Sequence, residues 1–294
     1  MNRELFKICI ITVSHFVGAT LIIPLVPQYA AREGLSPGMI GVLISLYAFF
    51  PFLLAVPGGA LIDRFGTRRV LLAGAAGSVG AASLFALAPN AFSLFSAEML
   101  MGVSHFLVIV ALQSHVSFLP LDRDLAFGYF TFAGALGMAL GPALGGVIAD
   151  RLGFRPAFVA AAVAAVAVGI VVSSLQEWRR PKGQKGLFFR GNGARLRRFA
   201  ANKGIQMAML ASFAMLFALT LMASYYPLYL AGRGLSPAAI GLLISFQDIA
   251  STGVRLALSW GVRRWGRRRL LALALVLFTL FVISLGVATL PGLL

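Results

Sequence analysis

Long apolar runs alternate with short charged segments along the chain. The clearest runs are long enough to cross a bilayer as α-helices, and they cover about residues 5–30, 37–61, 70–88, 92–118, 157–176, 237–261 and 270–290. Two further helices are expected after Asp124 and after Lys203. Hydrophobic residues make up 60% of the chain and charged residues 12%, which excludes a soluble globular domain. The pattern predicts an all-α integral membrane protein.

The net charge of +16 comes from basic residues concentrated on one side of the predicted membrane. With the N-terminus inside, Arg255 falls within a helix, and only four of the 25 arginines and lysines fall outside, at Arg32, Arg151, Arg155 and Arg233. This asymmetry predicts a cytoplasmic N-terminus, and we expect a bacterial inner membrane. Because topology accounts for the basic charge, no nucleic acid is expected as a partner.

A charged turn joins the second and third predicted helices. It contains two glycines, one acid and three arginines, at Gly59, Asp63, Arg64, Gly66, Arg68 and Arg69. Asp63 lies at the C-terminal end of a helix, where the helix dipole disfavours an anion, so one of the arginines is expected as its partner. A tight reversal also favours glycine at the bend and where backbones approach.

The order of these residues resembles the cytoplasmic loop between helices 2 and 3 of the major facilitator superfamily. A plain positive-inside loop would account for the arginines but not for Asp63 and the glycines. The resemblance implies a transporter in which this loop stabilises the state closed to the inside. We therefore expect a six-helix N-terminal bundle followed by the first three helices of a repeated C-terminal bundle.

The fifth predicted helix is rich in glycine. Its pattern, at Gly137, Gly141, Pro142, Gly145 and Gly146, resembles a helix 5 motif that the family's antiporters carry. Glycines spaced by four residues form a flat face on which another helix can pack closely, and the proline bends the helix. The resemblance implies that this helix packs the two halves together; a generic small-residue packing face is the alternative.

The second half of the chain repeats the first at an offset of 200 residues. The segment beginning at Gly34 matches the segment beginning at Gly234, and Arg68 and Arg69 match Arg268 and Arg269. Such duplication is typical of transporters. It predicts an N-terminal bundle over 1–177, a basic cytoplasmic linker over 178–204 and an incomplete C-terminal bundle over 205–294. The offset would end the second half about 80 residues beyond Leu294.

Ionisable groups in the fourth helix are candidates for a proton or substrate site. Glu98 and His105 are seven residues apart, so they share a helical face with Gly102. A membrane carboxyl must be protonated, paired or hydrated, which makes Glu98 the first candidate; a structural partner to a neighbouring helix is the alternative. His15 in the first helix is either a further candidate or a neutral, hydrogen-bonded histidine. The family often has arginine at the position of Glu98.

The eighth predicted helix carries a polar stripe that includes Asp248 and Arg255. A stripe with both charges must face protein or water rather than lipid, so it lines either a cavity or a structural ion network. The third helix, by contrast, has few polar residues, and we expect it to lie at the lipid-facing periphery.

These features predict a secondary active transporter that works by alternating access. The chain has no phosphate-binding loop and no spaced metal ligands, so neither an enzyme nor a cofactor is expected. The helix 5 resemblance implies proton-coupled efflux of small molecules, so the expected partners are such a substrate, protons and the bilayer. The alternatives are an uptake symporter or facilitator, and a truncated membrane protein that does not transport. The oligomeric state is left open.

Overall fold

The chain folds as a series of long α-helices. A computed structural model describes residues 3–54, 58–87, 90–178, 201–266, 269–270, 272–274, 276–277 and 279–280. Its helices are α1 (Arg3–Ile22), α2 (Leu25–Arg32), α3 (Pro37–Leu54), α4 (Gly58–Phe65), α5 (Thr67–Leu87), α6 (Ala91–Phe118), α7 (Arg123–Leu152), α8 (Phe154–Ser173), α9 (Lys203–Gly232) and α10 (Pro237–Trp265). Most of the predicted linker and of the helix expected over 270–290 lies outside the described residues.

Seven stretches of the described chain are long and apolar enough to span a membrane, by length and composition. They are Arg3–Arg32, α3, α5, α6, α7, α8 and Pro237–Val254. The first of them is divided into α1 and α2 by a turn at Pro24, which has no backbone N–H to continue the helical hydrogen bonds. The all-α membrane fold is thereby confirmed for the described residues.

Two apolar clusters form the core of the first bundle. One contains Leu21, Leu25 and Phe85, among others, near the end of the bundle that is predicted to face outside. The other contains Leu5, Leu71 and Leu112 near the opposite end. Between the clusters, α1, α5 and α6 contribute buried polar side chains at His15, Ser78 and Ser104. The bundle therefore carries a polar layer between two apolar ones.

The position of α5 differs from the expectation of a lipid-facing helix. Half of the membrane-spanning stretch of α5 is buried, because this helix packs between α6 and α8. Small residues make this packing possible: a β-carbon at Gly74 would lie 3.0 Å from the carbonyl oxygen of Ser104. A helix with few polar residues can therefore be central when its small residues admit close neighbours.

The internal duplication is visible in the backbone. Gly34 and Gly234 have φ angles of 83° and 82°, and Gly66 and Gly266 have φ angles of 85° and 78°. Such left-handed conformations strain a residue with a β-carbon. Glycine therefore ends a helix at the same two points in each repeat.

Contact clustering divides the chain into two units, residues 1–246 and 247–294. The first contains α1 to α9 and the first turns of α10, and the second contains the rest of α10 and the residues after it. The division into bundles over 1–177 and 205–294 stays a prediction.

Candidate functional site

Two histidines meet in the polar layer of the first unit. Nε2 of His15 on α1 lies 3.0 Å from Nδ1 of His105 on α6. Their rings are stacked, with centroids 5.0 Å apart and planes inclined by 22°, and the ring of Phe16 meets His105 edge-on. His15 is 5% exposed. A neutral imidazole has one donor and one acceptor nitrogen, so this geometry requires one ring to donate to the other.

The predicted face of α6 packs against Tyr47 of α3. The rings of Tyr47 and His105 have centroids 5.7 Å apart, and a β-carbon at Gly102 would lie 2.9 Å from the α-carbon of Tyr47. Glu98 is buried and lies within electrostatic range of the Tyr47 side chain. Glycine at position 102 therefore allows α3 to approach closely enough for the Tyr47 ring to meet that of His105.

His15, Tyr47, Glu98 and His105 bring four titratable side chains together in one part of the bundle. A carboxyl in an apolar bundle is costly as an isolated anion, so its protonation is coupled to what surrounds it. The two imidazoles supply a neighbouring donor and acceptor that can be rearranged by a tautomeric change. We define these four residues as the proton cluster.

The glycines of α7 have two different partners. Gly137, Gly141 and Gly145 pack on α1: a β-carbon at Gly137 would lie 2.8 Å from the carbonyl oxygen of Val13, and one at Gly145 would lie 2.5 Å from that of Leu21. At Gly141 the β-carbon would meet the Thr20 hydroxyl. Three glycines of the predicted motif thus hold α7 against the first helix of its own bundle.

The other two residues of the motif contact the second repeat. A β-carbon at Gly146 would lie 3.0 Å from the carbonyl carbon of Pro237, and one at Gly241 would meet the carbonyl oxygen of Pro142. Close by, the backbone N–H of Ala143 donates to Oγ of Ser245 over 2.9 Å. Pro142 and Gly146 are therefore the part of the motif that contacts α10, at the end of the bundle predicted to face outside.

The residues of the charged turn span α4 and the first turn of α5, with Gly66 between the two helices. Gly66 makes the reversal with its positive φ angle, and its N–H donates to the carbonyl oxygen of Ile62 over 2.8 Å. Asp63 is half-buried, while Arg64 and Arg69 are exposed. A β-carbon at Gly59 would have open space around it, and the crowded position is Gly58, where it would lie 2.7 Å from the ring of Phe106.

The start of α5 is anchored to the segment that follows α8. The N–H of Thr67 donates to the carbonyl oxygen of Trp178 over 3.1 Å, and the N–H of Arg68 donates to Oε1 of Glu177 over 3.2 Å. The Thr67 hydroxyl lies 2.9 Å from Nδ1 of His115, which is fully buried. These hydrogen bonds therefore hold the N-terminal end of α5, next to the charged turn, against the segment where the predicted linker begins.

The candidates on α10 lie in the second unit. Asp248 is half-buried, and its backbone carbonyl accepts a hydrogen bond from the Thr252 hydroxyl over 2.9 Å. The side chain of Arg255 lies outside the described residues. A shared cavity role for these two residues stays a prediction.

Three residues of these sites were not singled out from the sequence. Tyr47, Ser78 and Ser245 have no charge and belong to no motif. Ser245 does have a signal, since it matches Ser45 at the offset of 200 residues. For Tyr47 and Ser78 the helix register alone does not reveal which neighbouring helix they meet.

The chain matches the family model of the Major Facilitator Superfamily over residues 8–294. It belongs to that family.

Drug-resistance proteins are among its relatives. The chain is 24% identical over 131 residues to the quinolone resistance protein NorA of Staphylococcus aureus, a match that covers 44% of this chain and 34% of NorA. It is 26% identical over 124 residues to multidrug resistance protein 2 of Bacillus subtilis, covering 42% of this chain and 31% of that protein. The matches thus span about a third of each relative.

Solved transporter structures share the fold. The D323A mutant of the nucleoside transporter NupG superposes with a TM-score of 0.74 at 14% identity, covering 90% of this chain and 69% of NupG. The E310Q mutant of the peptide transporter POT superposes with a TM-score of 0.60 at 18% identity, covering 91% of this chain and 69% of POT. At such identities the likeness concerns the fold alone.

Proposed function

We propose that this chain carries the proton-coupling bundle of an exporter of small amphipathic molecules. The observation that supports this most directly is the proton cluster, in which a buried carboxyl shares α6 with one of two hydrogen-bonded histidines. Ionisable residues at this depth are costly and are retained where protons or substrates bind. The similarity to two resistance proteins favours export as the direction.

Alternating access requires contacts that form at one end of the molecule and break at the other. The contact of Pro142, Ala143 and Gly146 with α10 supports a role of this kind at the end predicted to face outside. The charged turn of α4 and α5 would act at the opposite end, where Asp63 and the arginines stabilise the state closed to the inside. In this scheme Asp248 and Arg255 supply further polar contacts to the substrate.

The test is transport by the purified 294-residue chain in proteoliposomes. An outwardly directed proton gradient is imposed, and accumulation of a fluorescent quinolone is followed. Export coupled to protons predicts accumulation in the vesicle fraction with inverted orientation, and its loss when the gradient is dissipated by a protonophore. Accumulation driven only by the opposite, inwardly directed proton gradient would favour an uptake symporter. Absence of any flux would favour a chain that does not transport by itself.

A further inference from the structure

A small cavity lies beside His15 of the histidine pair. Its volume is about 10 Å³, and it is lined by residues of α1, α5, α6 and α8, among them Ser14, His15, Ser78, Met101 and Ala165. The cavity lies where the polar layer meets the apolar cluster of Leu21, Leu25 and Phe85, to which Met101 also belongs. A space of this volume can hold a single water molecule but no larger ligand.

One wall of this cavity carries an unsatisfied hydroxyl. Ser78 is 6% exposed, and its Oγ has no hydrogen-bond partner within the described part of the chain. A buried hydroxyl without a partner costs on the order of 1–3 kcal/mol. Since nearly all such groups in folded proteins are hydrogen-bonded to protein or to ordered water, the free hydroxyl indicates a bound water.

The opposite wall supplies a second polar partner. His15 also lines the cavity, and its Nε2 is engaged with His105. A neutral imidazole has a second nitrogen to satisfy, and a water needs two to four polar partners to be held in a protein interior. Ser14, the second hydroxyl residue, completes the polar part of the lining.

We propose that this cavity binds a water molecule that links Ser78 of α5 to His15 of α1. The water extends the hydrogen-bonded pair of His105 and His15 by one step, to Ser78 of α5. It supplies a donor or an acceptor to His15, whichever the tautomer of the histidine pair requires. Its role as a proton carrier rests on the proposed function, whereas its presence rests on the geometry of the cavity alone.

Met101 provides a built-in reporter for this water. Its side chain lines the cavity and is 4% exposed, so radicals formed in bulk solvent do not reach it. X-ray radiolysis produces hydroxyl radicals from bound water in place, and methionine sulfur is readily oxidised. The experiment exposes the detergent-solubilised 294-residue chain to millisecond X-ray pulses and measures oxidation of each methionine by mass spectrometry.

The expected result is oxidation of Met101 in the unaltered chain, reduced by about threefold or more in Ser78→Val, which fills the cavity and removes the hydroxyl. Ser104→Ala is the matched control. Ser104 is 1% exposed on the same layer, but its hydroxyl already donates to the carbonyl oxygen of Leu100 over 2.6 Å. Met101 oxidation should therefore be unchanged by this substitution. No oxidation of Met101, or equal oxidation in Ser78→Val, would overturn the proposal.

A second measurement needs no variant, and it applies if Ser78→Val fails to elute as a monodisperse species. Magnetisation transfer from water to the His15 imidazole, measured by solid-state NMR in lipid bilayers, should give a cross-peak for a bound water. Its absence would contradict the proposal. Neither readout depends on transport, so the water site is retained if both signals appear in a chain that shows no proton-coupled flux, and the two proposals fail separately.

Discussion

His15 and His105 are 90 residues apart in sequence, yet their imidazoles are joined by a 3.0 Å contact between Nε2 and Nδ1. The contact connects α1 to α6 at the level where neither apolar cluster reaches. Tyr47 packs against the ring of His105, and His15 lines the small cavity. The histidine pair therefore joins α1 to α6 within the polar layer.

The first prediction concerns the coupling of this pair. His15→Ala, His105→Ala and the double variant form a cycle that isolates their interaction. Because removing one ring leaves the other buried without its partner, each single change should destabilise the chain by about 1–3 kcal/mol. The double change should cost less than the sum, with a coupling of roughly 1 kcal/mol. Unfolding in detergent, followed by circular dichroism, measures these values; strict additivity would refute a direct hydrogen bond.

The second prediction concerns the glycine face of α7. Gly141→Ala places a β-carbon against the Thr20 hydroxyl and 2.8 Å from the carbonyl oxygen of Val17. Such overpacking should lower the free energy of unfolding by about 1–3 kcal/mol. The unfolding midpoint of the purified chain in detergent is the measurement.

Gly128→Ala on the same helix is the matched control, since a β-carbon there meets open space. Alanine has the higher helix propensity, so this change should be neutral or stabilise the chain by up to about 1 kcal/mol. Equal effects of Gly141→Ala and Gly128→Ala would show that α7 does not pack closely on α1.

The third prediction concerns the contact between α7 and α10. In a Cys9→Ser background, Ala143→Cys together with Ser245→Cys should form a disulfide on mild oxidation, because the Ala143 nitrogen lies 2.9 Å from Oγ of Ser245. Under the proposed function the bridge blocks transport and reduction restores it, since this end must open in each cycle. Each single cysteine variant, treated in the same way, should retain transport. Unimpaired transport by the bridged chain would show that the contact is static.

The fourth prediction concerns the anchor of the charged turn. Thr67→Val keeps the shape of the side chain but removes the hydroxyl that lies 2.9 Å from Nδ1 of the buried His115. The imidazole then lacks that partner, which should cost about 1–3 kcal/mol of stability. Thr131→Val is a suitable comparison, because the Thr131 hydroxyl donates only within its own helix, to the carbonyl oxygens of Phe127 and Gly128. If both changes have the same small effect, Thr67 does not anchor the turn.

Periodicity and length were sufficient to predict the membrane helices, because a bilayer imposes a minimum apolar length. The repeat at an offset of 200 residues was also readable, and the matching φ angles of Gly34 and Gly234 show that it extends to the backbone. The shared face of Glu98, Gly102 and His105 could be predicted because these residues lie on one helix. Local rules were adequate wherever the relevant partners were close in sequence.

Contacts between helices distant in sequence could not be predicted in the same way. Nothing in the pattern of α6 shows that His105 meets His15, or that Tyr47 covers Gly102, since both depend on how three helices are arranged. The same holds for α5, whose few polar residues gave no sign of its central place. For α7, spacing identified a close-packing face but not that Gly141 packs on α1 while Gly146 packs on α10.

Glu98 is the residue on which proton coupling depends in this account. The decisive measurement compares Glu98→Gln with Glu33→Gln, which makes the same chemical change at an exposed position. Both variants are placed in proteoliposomes that enclose a pH-sensitive dye, and a quinolone gradient is imposed across the membrane. Proton movement that accompanies quinolone flux should fall to background in Glu98→Gln, because an amide carries no exchangeable charge, and should be retained in Glu33→Gln. Substrate exchange without a proton gradient should survive in both variants. Undiminished proton movement in Glu98→Gln would contradict the account.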